Sequence, residues 1–182
     1  MGIMKRGLLT WHAKFSEYSF LGHPITAEKY HRFKALFDDA QLPIDVLPIS
    51  PMEMSYLEKA LTPNHFAGLV KMSASGEGWL DPATPAFRGM LNVVQYMCQA
   101  TYTCLKAVLS ESHSFGINIA GGLHHATPNA SMGGCVVNDV GIAIRRIRSE
   151  GITKRIAILD FDYHPHNGTV TYFGGDENVL LS

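Results

Sequence analysis

Short apolar runs bounded by glycine and proline alternate along this chain with longer segments of helical period, and that alternation favours a mostly parallel sheet covered by helices. Residues 8–11 read as a first strand, and Gly22-His23-Pro24 as a loop before a helix that Thr26 can cap. In that helix Tyr30, Phe33, Phe37 and Ala40 recur at spacings of three and four beside Glu28, Lys29, Arg32 and Asp38, which predicts a helix lying outside a sheet. Residues 44–47, between Pro43 and Pro48, predict a short strand; Met54, Leu57 and Leu61 predict one or two short helices before Pro63. Residues 73–78 read as a surface loop continued by 79–85, and residues 87–109 as a long helix apolar nearly all round, hence buried. A strand at 115–120, a loop, a helix at 138–148 and a strand at 156–161 repeat the pattern without an internal repeat or linker, so residues 1–182 read as one domain.

That last strand carries the chemistry. After the apolar Ile156-Ala157-Ile158-Leu159 come Asp160-Phe161-Asp162-Tyr163-His164 and Pro165-His166-Asn167-Gly168-Thr169. In an extended chain Asp160, Asp162 and His164 share one face, while Phe161 and Tyr163 take the other. Two carboxylates and an imidazole then converge at the carboxyl end of a strand, where open α/β sheets place their ligands. Oxygen and nitrogen donors of this kind suit zinc or another divalent ion.

A second cluster, Gly121-Gly122-Leu123-His124-His125-Ala126, follows the strand at 115–120. One imidazole there can transfer a proton while the other orients it or tunes its charge. If the two strands are neighbours, Asp160 or Asn167 can accept the spare ring proton of one histidine and fix its tautomer. Adjacent histidines and a lone Asp-x-Asp-x-His are each more often structural than catalytic. Their joint placement at two strand ends favours a metal hydrolase.

Composition excludes several partners. Fifteen basic against sixteen acidic residues, with no block of like charge, point to neither nucleic acid nor an anionic membrane. Cys98, Cys104 and Cys135 are too few and scattered for a disulfide framework or a cysteine-rich zinc site. Lys5 and Arg6 precede only a short apolar stretch, unlike a signal peptide, and no window reaches the roughly 18 apolar residues of a membrane span. The expectation is a soluble cytoplasmic protein.

From residue 119 to 182 the sequence resembles the zinc-dependent histone deacetylase family, through Ala120-Gly121-Gly122-Leu123-His124-His125-Ala126, Cys135, Asn138-Asp139, Asp160-Phe161-Asp162-Tyr163-His164 and Asn167-Gly168-Thr169. The earlier Gly22-His23-Pro24 and Ala27-Glu28-Lys29-Tyr30 are similar to the smaller, class IV-like or bacterial members. The resemblance implies a three-layer arginase/deacetylase α/β fold and hydrolysis of an acetylated lysine or small acetylated amine. It also implies residue roles: Asp162 and His164 as zinc ligands, His125 as general base, His124 as its relay partner paired with Asp160, and Asn167 orienting the base. A structural potassium site would use Asp160, Asp162, His164 and Ser182, partly through backbone carbonyls.

Departures from the family pattern modify these expectations. The family's third zinc ligand and its oxyanion tyrosine lie downstream of Ser182, so the domain reads as C-terminally incomplete. Losing an oxyanion donor alone costs about 10²–10³ in rate. A catalytically inactive remnant, or a half-domain needing a complementary C-terminal half or a second copy of the chain, is therefore the alternative reading. Gly133-Gly134-Cys135 replaces a segment with an aromatic tunnel wall, so the substrate channel beside Gly133 is expected to be wider. Pro165-His166 stands where the family has His or Gln followed by Gly, which re-aims the loop and makes His166 a further candidate ligand. The arginase-type alternative, with two manganese ions, uses Asp-x-His-x-Asp rather than the Asp-x-Asp-x-His found here.

Overall fold

The apolar run at the start of the chain forms β1 (Gly7–Trp11), buried over its first four residues. The structure is a computed structural model that describes residues 6–182; Lys5, beside the short apolar stretch near the start, lies outside them. A 3-10 turn (Ala13–Glu17) sets Phe15 into the core, and α1 (Ala27–Asp39) follows Thr26. Thr26 is extended but makes no side-chain capping bond, and Tyr30 is the buried residue of α1, in keeping with a helix on the outside. Next come β2 (Ile44–Pro48), α2 (Met54–Ala60) and α3 (Pro63–Ser75).

Pro63 does not close a helix, as its position after Leu61 predicts, but opens α3, because the first helical position needs no N–H donor. Residues 73–75, expected in a loop, complete α3, which ends at Gly76 in the left-handed region with φ 74°. The expected loop at 79–85 is a small antiparallel hairpin, β3 (Trp79–Asp81) with β4 (Thr84–Pro85). The long apolar segment forms α4 (Met90–Leu109), starting three residues later than predicted. Its buried residues include Leu91, Val94, Met97 and Cys98. After it come β5 (Phe115–Ile117), α5 (Asp139–Ser149), β6 (Ile156–Ile158), α6 (Asn167–Phe173) and β7 (Val179–Leu181). Helix α6 went unpredicted, since its seven residues are too short for a periodic signal.

The parallel ladders expected from the alternation are present, with β1 between β2 and β5. The strands do not, however, join into one sheet: β6 pairs in parallel with β7 as a separate ladder. Beside β6 lies an apolar cavity of about 300 Å³, lined by Thr101 and Leu105 of α4, Val140 and Ile144 of α5, and Ile156 and Leu159. The main core packs α4 against β1 and β5, and a smaller cluster of Ile144, Tyr172, Phe173 and Val179 supports β6 and β7. Among the described residues no helix is long and apolar enough to cross a membrane.

Strand β5 meets α4 so closely that a Cβ on Gly116 would lie 2.5 Å from Cys104 Cβ and 2.8 Å from Cys104 Cα. Gly116→Ala is therefore predicted to destabilise the fold by about 1–3 kcal/mol, measurable as a lower midpoint in chemical denaturation.

Candidate active site

The segment from Gly121 to Ala126 belongs to no strand, and the heads of two helices, α5 and α6, hold it. Buried Asp139, first residue of α5, accepts the N–H of Leu123 at 2.7 Å and of Gly122 at 3.2 Å. On the other side Thr169 N–H of α6 donates to His124 O at 3.1 Å. A Cβ on Gly168 would meet the His125 carbonyl at 2.4 Å, so only glycine allows α6 to sit this close.

The strand predicted to carry Asp160, Asp162 and His164 stops at Ile158. Beyond it the carboxylates fold back on the chain: Asp162 N–H donates to Asp160 Oδ1 at 3.0 Å, and His164 N–H to Asp162 Oδ1 at 2.8 Å. These successive aspartate turns replace the ladder. They still separate the side chains: Phe161 and Tyr163 stand in solvent at 93% and 96% exposure, while Asp160 turns inward to His124.

His124 Nδ1 lies 2.7 Å from Asp160 Oδ2, and His125 Nδ1 lies 2.8 Å from Asn167 Oδ1. A carboxylate oxygen only accepts, so His124 Nδ1 carries the proton. Asn167 Nδ2 donates to Met132 Sδ at 3.2 Å, which turns Asn167 Oδ1 towards His125 as acceptor. In each neutral ring Nε2 is thus left with its lone pair. The two rings are 4.1 Å apart between centroids, and His125 is 5.7 Å from His164. Of the open alternatives for each histidine, Asp160 takes His124 and Asn167 takes His125.

Burial pushes the Asp160 carboxyl upward, but the Asp162 N–H and His124 outweigh it, and the group sits below the ordinary 3.8. The His164 N–H and ring lower Asp162 as well. Both carboxylates are ionised at neutral pH. Gly133, with φ 60°, lies so near His125 that a Cβ would meet the ring Cδ2 at 2.5 Å. Its N–H donates to Asp81 Oδ2 at 2.8 Å, and the next N–H, of Gly134, donates to Thr84 Oγ1 at 2.9 Å, so the β3–β4 hairpin fixes this stretch of backbone.

Residues 23–182 match the family model of the histone deacetylase domain. The chain belongs to the histone deacetylase domain family. Among its relatives are a probable deacetylase of Methanothermobacter thermautotrophicus, 32% identical over 64% of this chain and 35% of its own length, and histone deacetylase 2 of Arabidopsis thaliana, 28% identical over 91% of this chain and 45% of its own. The solved HDA15 HD domain superposes with a TM-score of 0.81 at 20% identity, covering 98% of this chain and 53% of that one. That likeness shows the shared fold, an α/β architecture with parallel strands flanked by helices. The chain spans between about a third and a half of the length of these relatives.

Histone deacetylase domains are generally metal-dependent, and part of a donor set that fits a metal is present. Asp162 Oδ1 accepts from His164 Nδ1 at 3.0 Å, an oxygen and a nitrogen that would exchange this bond for a shared metal. Asp162 Oδ1 is also 4.0 Å from His124 Nε2. Among the described residues no group of three or more His, Cys, Asp or Glu side chains is placed to hold a metal ion. Asp160 N–H donates to Ser182 O at 3.1 Å, so these two residues are adjacent. His166 is the residue before α6, and its charge helps lower Asp160.

The histidines were expected to meet the Asp160 segment because their strands would be neighbours. They meet although β5 and β6 are not paired, through α6 and the side-chain bonds described above. Sequence reasoning missed the supports: Asp139, Thr101, Gly168, Met132 and Tyr18, whose Oη donates to Gly134 O at 2.6 Å and accepts Val136 N–H at 2.9 Å. The one available signal was a polar Asn138-Asp139 pair heading an otherwise apolar helix face.

Because its carboxyl is held below 3.8, Asp160 contributes stability that is complete above that pH and fades as pH falls through the lowered value. The stability gap between the natural chain and Asp160→Asn should therefore be constant near neutrality and shrink below about pH 4, as read by urea denaturation across pH. Gly133→Ala should keep the fold but displace the His125 ring, breaking its bond to Asn167, which a crystal structure of the variant would reveal.

Proposed function

We propose that this chain forms the histidine-bearing part of a metal-dependent amide hydrolase, which removes acetyl groups from acetylated lysine or a small acetylated amine. The observation that carries this reading is the pair of imidazoles, each with Nδ1 committed to an acceptor and Nε2 free, beside the facing Asp162 and His164. Asp162 and His164 would hold zinc. Bound there, zinc would polarise the substrate carbonyl and acidify a water molecule.

The chain's own residues would do the proton work. His125, its tautomer fixed by Asn167, takes the proton of the attacking water at Nε2 and later delivers it to the leaving amine nitrogen. His124, bonded to ionised Asp160, supports the positive charge that His125 acquires. Gly133, without a side chain, would keep the space beside the His125 ring clear for the acetylated stem. Asp160 and Ser182, adjacent through their backbones, are candidates for a potassium site.

Relatives named as deacetylases are longer chains than this one, and the exposed Phe161 and Tyr163 favour a surface that a complementary segment covers. Three buried, unpaired cysteines are compatible with a reducing, cytoplasmic setting.

Zinc titration followed by calorimetry tests the metal assignment. The expected result is one zinc per chain, with His164→Ala weakening it by more than the roughly 10–100-fold lost with an outer-shell partner. In a fluorogenic acetyl-lysine assay, chelation should stop turnover and zinc should restore it; turnover indifferent to the chelator contradicts the proposal.

A further inference from the structure

The backbone of the histidine loop is gripped by two consecutive residues at the head of α5. Asp139 Oδ1 accepts Leu123 N–H, and its Oδ2 accepts both Gly122 N–H and, at 2.5 Å, the hydroxyl of Thr101 on α4. Thr101 Oγ1 in turn accepts Asn118 Nδ2 at 2.8 Å, whose Oδ1 accepts Ala120 N–H at 3.0 Å. Asn138 Nδ2 donates to Thr169 Oγ1 at 3.0 Å and to His124 O at 3.4 Å, while its Oδ1 caps α5 through Gly141 N–H at 2.8 Å. The residue before His124 and the carbonyl of His124 are thus both tied to α5.

An aspartate in the first turn of a helix also complements the helix dipole, and an exposed one would do so. Asp139 is fully buried, and among the described residues no cation pairs with it. Both its oxygens serve donors outside its own helix. Asparagine of the same shape would turn an NH₂ group against one of those donors, so the arrangement requires a carboxylate.

We infer that Asp139, steadied by Thr101, is a positioning residue for the histidine pair: it fixes the loop so that the His124 ring meets Asp160 and His125 meets Asn167. The inference deepens the hydrolase reading and rests on it for its meaning. Its test reads histidine geometry rather than turnover, so a failed assay and a failed clamp are distinguishable.

In the chain labelled with ¹⁵N-histidine, the proton that His124 Nδ1 donates to Asp160 should give a downfield ring N–H resonance, assigned by its loss in Asp160→Asn. Thr101→Val, folded by circular dichroism, should move or lose that resonance, and Thr101→Ser should retain it. Asp139→Asn should behave as Thr101→Val does. An unchanged resonance in folded Thr101→Val and Asp139→Asn overturns the inference. Should either variant fail to fold, amide exchange in the natural chain decides: Leu123 N–H protected by roughly 100-fold or more supports the clamp, and an unprotected Leu123 overturns it.

Discussion

Two segments that share no strand ladder meet at one pair of histidines, whose ring bonds reach across from one segment to the other. His124 reaches Asp160 and His125 reaches Asn167, each through Nδ1. Because β5 and β6 are not paired, the sheet cannot set the distance between the segments. Helices set it instead: α5 holds the histidine loop through Asp139, and α6 presses Gly168 and Thr169 against the same loop. Fixing both Nδ1 positions also fixes the chemistry, since it leaves both Nε2 atoms as bases in the neutral rings.

Much of this was legible in the sequence. Apolar runs marked β1, β2, β5 and β6, and the uninterrupted apolar segment marked α4, because burial on a sheet or in a core leaves a periodic trace. Asp160, Asp162, His164, His124, His125 and Asn167 were also legible as a group, and the structure brings them close to one another. The end of the strand at Ile158 was not legible, because an aspartate two residues before a backbone N–H can replace a ladder bond with a turn. Periodicity carries no record of that competition.

The supporting shell was illegible for a different reason. Thr101 lies within the apolar α4 and Asp139 opens α5, and their partners lie 16 to 38 positions away along the chain. Gly168 is required by the approach of the His125 carbonyl, a contact that only the folded chain creates. The short hairpin of β3 and β4 has too few residues for an alternating pattern, yet its Asp81 and Thr84 hold the backbone of Gly133 and Gly134 beside His125. Local spacing reports the groups suited to chemistry. It says little about the distant ones that aim them.

Under the proposed function, Asp162 and His164 hold zinc beside the histidine pair. X-ray absorption at the zinc edge of the zinc-loaded chain tests it most directly. The prediction is a first shell of oxygen and nitrogen at about 2.0–2.1 Å with the outer scattering of an imidazole that disappears in His164→Ala. A shell containing sulfur at about 2.3 Å, or one unchanged in His164→Ala, would contradict it.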